Sequence, residues 1–357
     1  MSSQERVLVT GASGFLGSRI VRQLLSSGEH VKALVRAGSS RQALAGLSAG
    51  LPDDRLQIVE GDITVGHTVF RALIGCDRLY HVAAVNRLWA ADPSPLRAAA
   101  VEGTREVLAM AKKRGIRKVV YTSSAVTLGT TSRPEEMDEN HAYNLHDAEA
   151  YVQAKKEAED LALAYARDEH LPLVIAQPTV LLGAGDWRPT PAGALLLRYL
   201  NWKSLFFGFP SISGGINVAD VNDVAQGHVL CMEKGTPGQR YLLGGENLTY
   251  EQFLQLLADV SALPSPGGSM SKGVAQLLGT LAEWRARWTG DDPTISRRMA
   301  RDYAGSYLWV SSAKAERELG YTHQPVRRTL VRAVQFFLST GLVVPAAAAR
   351  VRVDVRA

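Results

Sequence analysis

Two residues four positions apart, Tyr151 and Lys155, carry side chains that can move a proton together. Residues i and i+4 share one face of a helix, so the phenol and the ammonium can flank one bound molecule. A free tyrosine has a pKa near about 10, and a neighbouring ammonium favours the phenolate and brings the group toward the working range. Ser124 follows an apolar segment and could hydrogen-bond the same substrate oxygen. These three residue types predict proton transfer coupled to hydride transfer at a carbonyl or alcohol carbon.

The same spacing recurs at Tyr199 and Lys203. That pair lies in a stretch rich in glycine and proline, whereas Tyr151 opens a predicted helix behind a strand. We therefore predict a structural role for Tyr199 and Lys203.

A glycine-rich turn near the start of the chain predicts a dinucleotide site. Gly11 would permit a tight turn, Gly14 the approach of a pyrophosphate, and Gly17 the packing of helix against sheet. The N-terminus of the following helix would supply N–H groups to the phosphates. The predicted loop contacts are Gly11, Ser13, Gly14, Phe15, Leu16 and Gly17.

The end of the second predicted strand bears on the choice of dinucleotide. An acidic residue there would bind the ribose 2′-hydroxyl of NAD, whereas an arginine accommodates the 2′-phosphate of NADP. The sequence has Arg36 and no acid at this point, which favours NADP(H) over NAD(H). The alternative is that Arg36 is a solvated loop charge.

The elements that must position these residues alternate between strand and helix in the first half of the chain. Alternation of this kind predicts an α/β fold, a doubly wound parallel Rossmann sheet. The predicted strands are 6–10, 31–35, 56–60, 78–82, 118–122 and 172–177, and the predicted helices include 14–27, 95–114 and 148–168.

The second half predicts a smaller, mainly helical part that binds substrate over the carboxyl edge of the sheet. We expect a dinucleotide-binding domain at 1–178 with return segments near 215–245, a substrate-binding part at 179–340 and a tail at 341–357. The tail is either frayed or a late edge strand.

The composition excludes several classes of protein. The net charge is +5, but the 40 Lys and Arg residues are dispersed, which argues against a nucleic-acid partner. Cys76 and Cys231 show neither a disulfide framework nor metal-ligand spacing, and we expect buried thiols and no metal. We find no signal peptide and no transmembrane segment, so we expect a cytoplasmic protein acting on a small molecule.

Several motifs in order resemble the extended short-chain dehydrogenase/reductases, with most similarity to hopanoid-associated sugar epimerases and dihydroflavonol reductase-like proteins. The resemblance covers residues 5 to about 340 and rests on 10–17 (TGASGFLG), 61–64 (GDIT), 81–84 (HVAA), the serines at 123–124, 151–155 (YVQAK), 177–179 (QPT) and 223–225 (DVA).

The resemblance implies roles for matching positions. Ser124 aligns with the catalytic serine, with Ser123 as the fallback, beside Tyr151 and Lys155. Helices 95–114 and 148–168 would pair in a homodimer. The implied cofactor contacts beyond the glycine loop are Asp62, Ile63, Ala83, Ala84, Thr122, Tyr151, Lys155, Pro178 and Val180.

One position departs from the family pattern. Relatives usually carry Asn where this chain has Ala100, and that Asn helps to order its helix and nearby water. The departure puts full catalytic efficiency in doubt, but not cofactor binding.

Three interpretations of the function stay open. Residues 206–218 contain no Arg or Lys to hold a diphosphate, which favours a reductase or dehydrogenase acting on an apolar ketone or alcohol. The alternatives are a nucleotide-sugar epimerase or dehydratase with tightly bound NAD, and an inactive dinucleotide-binding protein. We expect Asn86, Trp89, Trp187 and Phe206 to contact the substrate.

The segment 272–288 predicts a basic amphipathic helix. A lid, or a helix docked on the protein, is favoured over contact with a membrane surface.

Overall fold

Among the residues that the structure describes, seven parallel strands form a central sheet. The structure is a computed structural model that describes residues 6–84, 89, 92–202, 209–265, 267–289 and 296–354. With strands numbered along the chain, this sheet contains β1 (Arg6–Thr10), β2 (His30–Val35), β3 (Leu56–Glu60), β4 (Cys76–His81), β5 (Lys118–Thr122), β6 (Leu173–Pro178) and β10 (Arg240–Leu243). Their order is β10-β6-β5-β4-β1-β2-β3, so the direction of winding reverses between β1 and β4. The predicted doubly wound fold is confirmed, with β10 as a strand that the sequence did not predict.

Helices cover both faces of this sheet. They are α1 (Phe15–Ser26), α2 (Gly66–Ala72), α3 (Ser94–Arg97), α4 (Gly103–Lys113), α5 (Ala150–Asp168) and α7 (Val221–Lys234), with 3₁₀ turns at Gln42–Leu44 and Ala125–Thr127.

The strand β1 shows why both faces must be covered. Successive side chains of a strand point to opposite faces. Val7 and Val9 belong to the core cluster under α1 and α7, whereas Leu8 belongs to the cluster under α2, α4 and α5. A strand buried on both sides is apolar without alternation, as the sequence of β1 is.

The predicted helix 95–114 is interrupted. A π-helical turn, Ala98–Glu102, separates α3 from α4. Within it the Ala100 carbonyl accepts a hydrogen bond of 2.6 Å from the Thr104 hydroxyl. Hydroxyl groups often bond back to carbonyls in this way and bend helices, and π-turns frequently occur beside functional sites. Ala100, which departs from the family pattern, therefore lies in this π-helical turn.

The rest of the chain builds a second layer with its own apolar core. Its elements are β7 (Val180–Leu182), α6 (Pro191–Leu200), β8 (Ser211–Ile212), β9 (Gly215–Asp220), β11 (Glu246–Thr249), α8 (Tyr250–Ser261), β12 (Ser269–Met270), α9 (Lys272–Thr289), α10 (Arg297–Tyr303), β13 (Tyr307–Leu308), α11 (Ala313–Leu319), α12 (Val326–Ser339) and α13 (Pro345–Ala348). In the described residues β9 is flanked by β7, β11 and β13. Because α7 and β10 return to the central sheet, the chain passes between the two sheets more than once.

The C-terminal residues differ from both predicted alternatives. After the short helix α13, the N–H groups of Arg352 and Asp354 donate to the carbonyls of Ser261 and Val260 at the end of α8. Val351 packs against the core of the second layer. This segment is docked on α8 without forming a strand up to residue 354, where the described residues end.

In the described part of the chain, every helix is too short or too polar to cross a bilayer. Cys231 is buried and Cys76 half-buried, and both are free thiols. Burial raises the pKa of Cys76 to about 11 and that of Cys231 to about 12, which keeps both thiols protonated and unreactive at neutral pH.

Two buried histidines join neighbouring elements near the carboxyl edge of the sheet. His81 contacts the hydroxyl of Thr10 at 2.8 Å, and His228 contacts that of Thr122 at 3.0 Å. Burial lowers the pKa of His81 to about 3 and that of His228 to about 4. Both rings are therefore neutral in the folded protein.

Because both histidines stay neutral in the folded protein, we expect the protein to lose stability in mild acid. Below pH 6.5 the unfolded chain protonates both rings while the folded chain does not, so the free energy of unfolding falls as the pH falls, by about 2 kcal/mol per histidine at pH 5. Denaturant unfolding at pH 7 and pH 5 measures this loss. The variant His228→Gln should lose less stability between the two values, whereas the exposed control His67→Gln should lose as much as the wild type. An equal loss in all three proteins would contradict the assignment.

Candidate functional site

The turn after β1 brings the chain into close contact with the end of β4. Gly11 has a φ of +66°, and a Cβ at this position would lie 2.7 Å from the Cα of Ala83. The Thr10 hydroxyl accepts hydrogen bonds from the N–H groups of Val82 and Ala83, at 3.1 and 3.2 Å. A Cβ at Gly17 would lie 2.2 Å from the carbonyl oxygen of Gly11. Sterics therefore require glycine at Gly11 and Gly17, beside the point where the sheet reverses its winding.

The N-terminus of α1 is suited to an anion. Its N-cap residue, Gly14, offers no side chain to accept from the first N–H groups, and the first turn contains no acidic residue. Unsatisfied N–H groups at a helix start form a ready phosphate site. The residues present thus fit the pyrophosphate of a dinucleotide.

A cavity of about 1140 Å³ extends from this turn across the carboxyl edge of the sheet. Among its lining residues is every cofactor contact that the sequence predicted: Gly11, Ser13, Gly14, Phe15, Leu16, Gly17, Arg36, Asp62, Ile63, Ala83, Ala84, Thr122, Tyr151, Lys155, Pro178 and Val180.

The three predicted catalytic residues meet in the middle of this cavity. Ser124 follows β5, and Tyr151 and Lys155 lie on the first two turns of α5. The Ser124 hydroxyl lies near the Tyr151 hydroxyl and acts to lower the pKa of that phenol. The Lys155 ammonium donates to the carbonyl of Thr122 at 3.1 Å. The structure therefore brings the set together against one wall.

The neighbouring serine has a different environment. The Ser123 hydroxyl donates to the carboxylate of Glu159, which is fully buried one turn beyond the lysine of α5. The same carboxylate accepts from the Thr127 hydroxyl at 2.9 Å and from the Gln177 amide at 3.0 Å, and Arg240 approaches it at 3.4 Å. Ser123 is thus engaged in a buried polar network, which leaves the other serine for the cavity.

Burial sets the ionisation of the pair on α5. Burial raises the pKa of Tyr151 to about 12. The nearby Ser124 hydroxyl has the opposite effect and lowers it. Burial lowers the pKa of Lys155 to about 8, while the negative charge of Glu159 raises it. At neutral pH the phenol therefore holds its proton, and the lysine is still mainly a charged ammonium although its pKa is lowered.

Beyond the catalytic set the cavity has aromatic walls. Trp89 and Trp187 line it, as the sequence predicted for substrate contacts, whereas Asn86 and Phe206 lie outside the described residues. Further lining residues that the sequence did not suggest include Arg188, Arg198, Tyr250, Phe253, Met299 and Tyr303. They come from loops and helices far apart in the chain, and no spacing pattern connects them.

One further lining residue, Asp186, is a buried acid. One of its carboxylate oxygens accepts from the N–H and the hydroxyl of Thr190, both at 2.9 Å. The other oxygen has no hydrogen-bond partner among the described residues. Burial raises the pKa of Asp186 to about 6. Sequence reasoning missed Asp186. The available signal was its position as an acid in a glycine- and proline-rich loop just beyond β7.

Of the second tyrosine–lysine pair, the structure describes the tyrosine, which lies in a packed environment away from the catalytic set. Tyr199 is buried on α6, and its hydroxyl donates to the carbonyl of Pro264 at 2.8 Å. Lys203 lies outside the described residues.

Comparison with known proteins identifies the family. The model of the NAD dependent epimerase/dehydratase family matches residues 7–244. A putative dihydroflavonol 4-reductase of Synechocystis sp. is 33% identical over 340 residues, which cover 94% of this chain and 95% of that protein. Sterol demethylase protein B of Methylococcus capsulatus is 30% identical over 343 residues, with 94% and 99% covered. The crystal structure of gox2253 has a TM-score of 0.82 at 31% identity and covers 95% of this chain and 99% of that one.

These matches extend over both layers of the fold, and the family resemblance inferred from the motifs is confirmed. The chain belongs to the NAD dependent epimerase/dehydratase family and is an NAD(P)-dependent oxidoreductase of the extended short-chain dehydrogenase/reductase type.

Proposed function

We propose that this oxidoreductase transfers hydride between NADP(H) and a ketone or secondary alcohol of an apolar, lipid-like or polycyclic small molecule. The observation that carries the proposal is one continuous cavity, with the glycine turn at one end, Ser124, Tyr151 and Lys155 in the middle, and aromatic walls at the other end. Aromatic walls with few polar groups are typical of sites for apolar ligands. The relatives named for a dihydroflavonol and a sterol support this substrate class.

The dinucleotide, when bound, supplies or accepts the hydride. Tyr151 holds a proton on its hydroxyl oxygen and gives it to the substrate oxygen during reduction. Ser124 donates a hydrogen bond to the same oxygen and fixes its position. Lys155, anchored on the Thr122 carbonyl, stabilises the phenolate that remains.

The free oxygen of Asp186 supports a substrate with at least one polar group. Because a buried acceptor without a partner costs free energy, a hydroxyl on the substrate would satisfy it. This acceptor would orient an otherwise apolar molecule.

A nucleotide-sugar epimerase or dehydratase is the second candidate. Arg188 and Arg198 line the substrate end of the cavity, and guanidinium groups are suited to a diphosphate. Residues 209–218, the described part of the segment without Arg or Lys, do not supply such groups.

NADP(H) is the proposed cofactor form. Arg36 follows β2, is exposed, lines the cavity and takes part in no ion pair among the described residues. The nearby Arg41 is paired with Glu60 instead. A free guanidinium at the end of β2 is suited to a 2′-phosphate.

Assembly into a homodimer through α4 and α5 stays a prediction, which light scattering of the purified protein would test. Within one chain, α3 and α5 are joined by an ion pair between Arg97 and Glu157, in which one of the two hydrogen bonds measures 3.0 Å.

The proposed chemistry predicts the behaviour of Tyr151→Phe. Removing the proton donor should lower kcat by about 10²–10⁴-fold and leave NADPH affinity unchanged. The measurement is NADPH absorbance with a set of aromatic and isoprenoid ketones, together with the amount of alcohol formed. In the wild type one NADPH should disappear for each alcohol. Co-purified NAD without net turnover would support the epimerase. Activity that is unaffected by the substitution would contradict the mechanism and favour the inactive dinucleotide-binding protein.

Substitution of the two serines should have different effects, one on the turnover number and the other on the stability of the fold. Ser124→Ala removes a bond to the reacting oxygen, so kcat should fall about 10–100-fold with little change in the unfolding midpoint. Ser123→Ala leaves the Glu159 carboxylate with one donor fewer, so the protein should lose about 1–3 kcal/mol of stability and the folded enzyme should keep its kcat. Steady-state kinetics and urea unfolding of both variants measure this. The reverse pattern would reassign the roles.

The cofactor preference predicts a selective effect of Arg36→Ala. Loss of the guanidinium should raise KM for NADPH about tenfold or more and leave KM for NADH unchanged, because only NADPH carries the 2′-phosphate. Arg41→Ala is the matched control, since its side chain is paired with Glu60 and does not line the cavity. Equal use of both dinucleotides by the wild type would refute the preference.

A further inference from the structure

The helix α9 exposes an apolar face to solvent. Large apolar side chains recur along it at helical spacing, and their exposed fractions are high: 62% for Leu277, 55% for Leu281, 63% for Trp284 and 79% for Trp288. We call the following set the apolar stripe: Val274, Leu277, Leu278, Leu281, Trp284 and Trp288. Of the thirteen large apolar side chains that are exposed in the described residues, six lie in this stripe. Contiguous exposed apolar surface of this kind marks an interaction site.

The opposite face of α9 explains why the stripe points outward. Ala275, Gly279 and Ala286 are buried against the protein. A Cβ at Gly279 would lie 2.8 Å from the backbone of Ser296 and Arg297. The docking face is therefore made of small residues in close contact, and rotating the helix to bury the stripe would abolish this packing. The sequence favours a lid or a docked helix over contact with a membrane surface, and the structure shows α9 docked on α10 with small residues at its buried positions.

The charges around the stripe are mainly positive. Lys272, Arg285 and Arg287 are exposed on α9. Its acidic residue, Glu283, faces α10, where its carboxylate accepts from the N–H of Arg297 at 2.7 Å. Arg285 follows Leu281 by four residues and so shares its face. Among the described residues of α9, the charged side chain on the face of the stripe is therefore a cation, Arg285, whereas the acid of this helix is turned toward α10.

We propose that α9 is an interfacial anchor that seats this enzyme on a lipid bilayer surface with anionic headgroups. Tryptophan rings favour the boundary between headgroups and acyl chains, and leucines reach the apolar layer beneath. Arginines beside them keep their guanidinium groups at headgroup level and attract negative lipids.

A second copy of the chain fits the same surface less well. Joining two stripes would bring Arg285 of each copy into the shared apolar contact without an acid to pair it. Desolvating like charges next to each other is unfavourable. An anionic bilayer instead neutralises these groups, which favours the lipid surface over a second copy of the chain.

The anchor lies beside the substrate end of the cavity. Met299 and Tyr303 of α10, on which α9 packs, line that end. Arg198 also lines it, and the positive charge of Arg285 reaches it, adding to burial in lowering the pKa of Arg198. The seated enzyme would hold this end of its cavity close to the bilayer. The seating itself depends on α9 alone and not on the reaction proposed above.

The test is sedimentation of the purified full-length protein with vesicles of phosphatidylcholine, with and without phosphatidylglycerol. The wild type should bind the anionic vesicles, and its tryptophan emission should shift to the blue on binding. The variant Leu281→Asp/Trp284→Asp should bind at least about tenfold more weakly, because two side chains no longer enter the apolar layer. The variant Arg285→Gln/Arg287→Gln should lose about fivefold per charge, on anionic vesicles only.

The matched control is Ile74→Asp/Val344→Asp, which changes two apolar residues with exposed fractions of 50% and 47% outside α9. It should bind vesicles like the wild type, and all variants should keep the wild-type circular dichroism spectrum. Equal sedimentation of the stripe variant and the wild type would overturn the proposal. The proposal would also be overturned if light scattering showed a dimer of the wild type that the stripe variant does not form and that vesicles do not dissociate.

Discussion

The buried carboxylate of Glu159 is the interaction on which the arrangement of the site depends. It collects hydrogen bonds or charge from Ser123, Thr127, Gln177 and Arg240, which come from β5 and the turn after it, from β6 and from β10. A fully buried charge is tolerated only when such donors surround it. Because these donors lie on or just after three neighbouring strands and the carboxylate itself lies on α5, the network fixes the edge of the sheet relative to the helix that carries the tyrosine and the lysine.

The same carboxylate offsets the cost of burying Lys155. Burial alone favours the neutral amine, and the nearby negative charge favours the ammonium that the proposed chemistry needs. The resulting pKa of about 8 shows that burial outweighs the opposing effect of the Glu159 charge. The lysine therefore costs the folded protein stability at neutral pH, which is common for residues kept for function.

Local patterns in the sequence were enough to select residues that the structure brings together in a single cavity. The glycine turn, Arg36 and the Tyr151–Lys155 pair are short-range signals, and each reports a backbone or helix-face constraint within a few residues. The substrate half could not be predicted in this way. Tyr250, Tyr303 and Asp186 meet only because the second layer folds over the sheet, and contacts of that kind leave no period in the sequence. For the same reason β10 was missed, since its four residues gain strand structure from pairing with β6. The interruption of the predicted helix by the π-helical turn around Ala100 is a change in backbone hydrogen bonding that helical periodicity of the side chains does not encode.

A pair of side chains joins the second layer directly to the catalytic helix. The Ser296 hydroxyl, which also caps α10, donates to the carboxylate of Glu149, the residue that precedes α5. Glu149 stands two positions before Tyr151, so a displacement of α10 transmits a force to the proton donor through one hydrogen bond and one turn of backbone. The proton-transfer distance is thereby mechanically linked to a helix that lies at the far end of the cavity. Substitutions in α9 or α10 that touch neither dinucleotide nor substrate should then alter turnover more than affinity.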